Sequence, residues 1–155
     1  MSDETGPWER TLSELNALAE DRKAEGWAVC AFPAGATGFQ TRADSDDDHF
    51  GAVFVVPGDV AEELSEIHDR GEFPRYQVYG RTVSGRRFIV LRFDDPEAET
   101  CVLVAASFPL EDARQLLPAI RETGVVYARF RTLDGSHLAT FELSDPDLLI
   151  PDAAE

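Results

Sequence analysis

Lysine is almost missing from this chain. Lys23 is the single lysine, and the other thirteen of its 14 basic residues are arginines, set against 30 acids in 155 residues. The formal net charge is −16. A charge so far from zero keeps a protein soluble and makes it repel itself. At about 1 M salt the Debye length falls to about 3 Å, and that repulsion largely disappears. Acidity with so little lysine predicts a protein of a salt-rich cytosol that needs molar salt to fold.

Cysteine is scarce too. Cys30 and Cys101 sit in apolar strand-like settings, Val29-Cys30-Ala31 and Cys101-Val102-Leu103, which suit buried thiols rather than reactive ones. There is no CxxC motif and no disulfide framework. Met1-Ser2-Asp3-Glu4 lacks the basic and apolar regions of a signal peptide, so a cytoplasmic location is expected. The longest uncharged apolar-rich stretch, 101–110, is far short of the ~20 residues of a membrane helix.

Catalytic signatures are missing as well. No GxSxG, Walker or GxGxxG motif follows any expected strand. His49, His68 and His137 show no HxH or HExxH spacing. Asp44, Asp46 and Asp48 have the 1-3-5 spacing of a calcium loop. His49 holds the place of its required glycine, and Val55 that of its twelfth-position glutamate. This segment reads as a solvated acidic loop. No metal, cofactor or catalytic residue is indicated.

What the chain does have is a 43% apolar composition, enough for a globular core, and a near-repeat. Arg81-Thr82-Val83-Ser84-Gly85 returns as Arg131-Thr132-Leu133-Asp134-Gly135, and Asp95-Pro96 as Asp145-Pro146, both at an offset of 50. An amphipathic helix over 7–25 carries Trp8, Leu12, Leu15 and Ala19 on one face and ends at Gly26; a strand follows over 27–32. Val53–Val56 reads as a strand. A helix then starts with an Asp59/Glu62 capping box, buries Val60, Leu64 and Ile67, and ends at Gly71. A hairpin flanks Ser84-Gly85.

Thr100–Ala106 is apolar on both faces and therefore central. A helix over 109–123 contains Pro118, which predicts a kink or break near Leu117. A second hairpin surrounds Asp134-Gly135. The expected fold is α+β: two tandem βαββ repeats, about 51–96 and 99–146. They form one mainly antiparallel sheet with helices on one face, preceded by an N-terminal helix and strand. A partial third copy covers about 8–40. Residues 1–155 read as a single domain, and the apolar middle of 145–151 is expected to dock on it.

The pattern resembles an uncharacterised haloarchaeal family, a domain of unknown function. The resemblance rests on Pro7-Trp8, Gly26-Trp27, Phe54-Val55-Val56-Pro57, Tyr76-x-Val78-Tyr79, Asp95-Pro96-Glu97-x-Glu99-Thr100, Thr140-Phe141 and Asp145-Pro146. It covers nearly the whole chain and departs from the pattern at Ala105-Ala106-Ser107-Phe108. It implies the high-salt habitat and supplies no catalytic residues.

The arginines are unevenly spread. Residues 70–92 hold six against Glu72 alone, and 114–131 hold four against Glu122 alone. Strand alternation puts Arg75, Gln77, Tyr79 and Arg81 on one face of their strand, and Tyr127, Arg129 and Arg131 on the equivalent face of theirs, the side of the sheet that the helices leave open. The repeat makes Arg81 and Arg131 equivalent positions. Arg75, Tyr79, Arg81, Tyr127, Arg129 and Arg131 are the candidate ligand-binding residues, because guanidinium and phenol groups hold phosphates and stack bases. The competing reading pairs them with acids across strands, with Glu142 as a partner.

Three functions stay open. One is a non-enzymatic interaction or regulatory module that binds a protein or itself as a homodimer. The second is an RNA or nucleotide binder, which is less favoured because molar salt suppresses counterion-release affinity. The third is an enzyme whose site gathers the histidines with carboxylates. No membrane partner is indicated.

Overall fold

The computed structural model describes residues 6–41 and 50–151; the acidic loop with His49 lies outside them. Helix α1 (Pro7–Ala24) has Pro7 in its first turn and closes at Gly26, φ 88°. There the Gly26 and Trp27 amides bond back to the Lys23 and Arg22 carbonyls at 3.0 and 3.1 Å, the pattern of a Schellman motif. Strands β1 (Ala28–Pro33), β2 (Thr37–Gln40) and β3 (Gly51–Val55) follow. After α2 (Ala61–His68) come β4 (Arg75–Val83), β5 (Arg86–Asp95) and β6 (Thr100–Pro109).

The next helical stretch is broken. It consists of α3 (Leu110–Ala113), a 3-10 turn (Arg114–Leu116) and α4 (Leu117–Thr123), with Pro118 in the first turn of α4. This is the break expected near Leu117, and it places proline where its missing N–H is harmless. β7 (Val126–Arg131), β8 (His137–Leu143) and α5 (Pro146–Leu149) complete the order.

The strands form two mixed sheets rather than one mainly antiparallel sheet. The first has the order β1-β6-β5-β4 and the second β2-β3-β7-β8. The β1–β6 and β3–β7 pairs are parallel, and the rest are antiparallel. The strand–helix–hairpin order does occur twice along the chain. The pairing does not follow it, because β3 lies beside β7 of the later hairpin and the two hairpins enter different sheets.

The physical reason lies in β6. Residues 100–106 are all buried, so both faces of this strand need cover. On one side α1 lays Leu15 and Ala19 over Val90, Cys101, Leu103 and Ala105. On the other, the second sheet packs through phenyl rings. Phe93 stacks on Phe141 at 4.0 Å, Phe32 meets Phe130 edge-on at 6.1 Å, and Phe39 meets Phe108 at 5.1 Å. Leu64 and Ile67 of α2 and Leu116 and Ile120 join that core. Helices on one face alone would leave half of β6 uncovered.

Other local expectations also change. Val60, not Asp59, is the N-cap of α2, and it makes no side-chain cap. The helix ends at His68, before Gly71. Gly71 is instead the place where the backbone passes the Asp95 carboxylate so closely that a Cβ would collide with it. Gly51 is similarly required, because a Cβ there would run into the Tyr127 carbonyl of the paired strand. The C-terminal segment docks as expected, with Leu149 and Ile150 fully buried and the Leu149 carbonyl accepting Arg87 Nε at 3.3 Å. Cys30 and Cys101 are core residues. Burial, reinforced by Glu63, pushes the Cys30 thiol up to about 12, so it stays protonated and unreactive near neutral pH.

Candidate functional site

The hairpin of β4 and β5 is closed by two residues, Ser84 and Gly85, with φ of 51° and 82°. Two positive φ values make a type I′ turn, whose twist suits a hairpin and fixes its register. Arg75 therefore faces Asp94, Gln77 faces Arg92, Tyr79 faces Val90 and Arg81 faces Phe88. These side chains lie on the face that α1 covers. The helix packs mainly over β1, β6 and β5; from the outermost strand, β4, Tyr79 packs against the same apolar cluster.

At the C-terminal end of α1 this arrangement builds a polar network. Arg22 reaches across from the helix and grips Asp94, with Nη2 to Oδ2 at 2.9 Å and Nε to Oδ1 at 3.4 Å. Its Nη1 bonds Glu25 at 3.1 Å. Its guanidinium lies 4.5 Å from the centre of the Trp27 ring, held there by the turn at Gly26. Arg92 Nε approaches the same Asp94 Oδ2 at 3.2 Å, and its Nη2 donates to Gln77 Oε1 at 2.9 Å. Its guanidinium lies 5.6 Å from the centre of the Tyr79 ring. Asp94, 6% exposed, is thus wedged between two arginines. Its hydrogen bond is the largest cause holding the Arg22 guanidinium charged, with a pKa above the ordinary value. Around the network runs a groove of about 460 Å³ lined by Arg22, Pro74, Arg75, Tyr76, Gln77, Arg92 and Asp94.

Arg75 also borders a second groove, of about 500 Å³, with Arg70, Glu72, Asp95 and Glu97. Here Asp95 is a structural clamp. Its carboxylate accepts the backbone N–H groups of Glu72, Phe73 and Ala98 at 2.7, 3.2 and 3.1 Å. These bonds, that from Ala98 foremost, hold its pKa below the usual carboxylate value. The clamp fixes the chain that leads into β4, and with it the position of Arg75.

The six arginine and tyrosine candidates do not share one surface. Arg75, Tyr79 and Arg81 lie on the outer face of the first sheet. Tyr127, Arg129 and Arg131 alternate with Ala128 and the core residue Phe130, which puts them on the outer face of the second sheet, on the opposite side of the molecule. There Arg129 Nη1 and Arg131 Nη2 both donate to Gln40 Oε1 at 2.8 Å. Glu142 stands opposite Tyr127 rather than either arginine. Burial, reinforced by Glu142, raises the tyrosine pKa.

Arg81 and Arg131 are therefore not equivalent. Arg81 is exposed and, among the described residues, its guanidinium has no hydrogen bond or ion pair. Arg70 and Arg75 are in the same state. Arg22, Asp94 and Gln40 were not among the sequence candidates. The two-residue turn and strand alternation together could have found Asp94. Nothing local signals that Arg22 or Gln40 arrives from elsewhere in the chain.

Neither described histidine, His68 or His137, lines this groove. His68 lies parallel to the Phe73 ring at 6.4 Å and edge-on to Phe141 at 5.3 Å. His137 Nε2 lies 2.6 Å from Thr140 Oγ1 on the second sheet. Among the described residues no group of three or more His, Cys, Asp or Glu is arranged to hold a metal ion, and no helix is long and apolar enough to cross a membrane. No curated protein matches the chain, and no solved structure matches it. Residues 1–151 match a family of unknown function, DUF7529, and the chain belongs to that family.

Proposed function

We propose that the protein is a non-enzymatic interaction module that takes up an extended acidic segment of a partner protein along β4. The observation that carries this reading is the character of that edge. β4 is the nine-residue outer strand of its sheet. From Phe73 to Phe93 the chain has five arginines and no acid, within a protein of net charge −16. Closure by a two-residue turn makes Val83 and Arg86 a hydrogen-bonded pair, so Tyr76, Val78, Gly80 and Thr82 turn their backbone groups outward. Among the described residues no further strand pairs with them.

Such an edge is a template for strand addition. Its charge selects against a second copy of itself, because arginines would face arginines, and in favour of a carboxylate-bearing strand. The acidity of the chain and its single lysine fit work in a salt-rich cytosol, where short-range hydrogen bonds outlast screened charge.

The test uses proline on the open edge. Thr82→Pro deletes an outward N–H and spares the β4–β5 ladder. A synthetic acidic strand-forming peptide should shift the amides of residues 76, 78, 80 and 82 in the unmodified protein, and Thr82→Pro should abolish that response. Equal binding by the variant overturns the reading. A concentration-dependent dimer lost in Thr82→Pro would assign the edge to a second copy instead.

A further inference from the structure

The groove beside Arg22 and Arg92 has an unusual balance of donors and acceptors. Its single carboxylate, Asp94, is engaged on both oxygens by Arg22 and on one of them by Arg92. Gln77 Oε1 is also taken, by Arg92 Nη2 at 2.9 Å and the Tyr79 hydroxyl at 3.2 Å. The side-chain groups left to face an incoming molecule are donors: the Gln77 amide nitrogen, Arg92 Nη1 and the whole Arg75 guanidinium. Arg75 stands across the β4–β5 ladder from Asp94.

Three arginines and one aspartate line the groove, a local charge of 3 − 1 = +2 within a chain of −16. The two inner arginines are largely buried, their side chains 20% and 18% exposed, and each lies against an aromatic ring. Their side-chain entropy is already spent, so Arg92 meets a ligand as a fixed donor, whereas the exposed Arg75 is ordered by binding. A pocket of converging N–H groups with its acceptors saturated favours an oxyanion.

We propose that this groove is a binding site for a small phosphate-bearing ligand. The dianionic phosphate group accepts from Gln77, Arg75 and Arg92 together and matches the local charge of the lining. The site is distinct from the strand-adding edge, because it opens on the face of the sheet and the edge groups lie in its plane.

Inorganic phosphate is the probe, titrated at constant ionic strength and followed by NMR at the Gln77 amide and the Arg75 and Arg92 Nε–H signals. Saturable shifts at these groups are expected. Arg75→Gln, a change at an exposed residue, should weaken binding by about tenfold. Arg131→Gln on the opposite face should leave it unchanged. No saturation by ~50 mM phosphate, where even weak millimolar sites fill, overturns the proposal; so does equal affinity in Arg75→Gln. A dicarboxylate such as succinate that saturates the groove where phosphate does not would overturn the phosphate assignment. Thr82→Pro should retain phosphate binding, so this site and the edge fail separately.

Discussion

Positions 81 and 131 share their local sequence and meet different fates. Both arginines stand outward on a strand that leads into a hairpin turn. Arg81 lies on an outermost strand, where its flank is solvent. Arg131 lies on a strand held between β3 and β8, and Gln40 of the short β2 reaches its guanidinium. A strand's own pattern determines which way its side chains point. Its rank within the sheet determines whether they are left available.

The turns differ in the same spirit. Ser84-Gly85 makes a two-residue loop with unbroken register. Residues 132–136 need a longer loop tied by Asp134, which accepts the Thr132 hydroxyl and the Ser136 amide. The register shifts between Phe130 and Arg131.

The largest expected effect acts on both faces together. In ~50 mM salt the Debye length exceeds 10 Å, and self-repulsion among 30 acids should cost the protein its native circular dichroism. Molar potassium chloride should restore it. Full native signal in dilute buffer would remove the salt-rich setting from the comparison.

Acid separates the two hairpins. Backbone hydrogen bonds depress the Asp95 pKa, and bonds from Thr132 and Ser136 depress that of Asp134. Each carboxylate contributes stability that is fully present above its unfolded value, near 3.8, and lost as pH falls through its lower folded value. Protection from hydrogen exchange, relative to the intrinsic rate at each pH, should therefore fall at Glu72, Phe73 and Ala98, and at Ser136, below that value. Asp95→Asn should remove the pH dependence at the first three amides and leave it at Ser136. Loss at all four would show that the hairpins open as one unit.

The smallest effect bears on the arginines themselves. Arg131→Gln gives up its bond to Gln40 and should cost about 1 kcal/mol in urea unfolding. Arg81→Gln touches no partner and should fall within about 0.5 kcal/mol of the parent. Equal costs at the two positions would restore the equivalence implied by the repeat.

Local signals carried much of this structure. The Ser84-Gly85 dipeptide implies the β4–β5 register, and so the facing of Arg75 and Asp94. The doubly apolar run of β6 implies a central strand, and Pro118 implies a break. Partner choice among strands was not legible. Val53–Val56 alternates as well for a sheet with its own hairpin as for one with β7, and the selection is made by which apolar faces remain uncovered. The site shares this limit. Arg22 reaches Asp94 across 72 positions and Gln40 reaches Arg131 across 91, and neither leaves a trace in periodicity.

The two parallel pairings also set an order of assembly. Ala28 must find Thr100, and Gly51 must find Tyr127, so β1 and β3 stay without these partners until most of the chain exists. Closing such distant loops is slow, whereas a hairpin with a two-residue turn forms within about 1–10 μs. The β4–β5 ribbon can thus form before either parallel pairing closes. Its five arginines give the nascent acidic chain a local counter-charge before the second sheet is present to cover it.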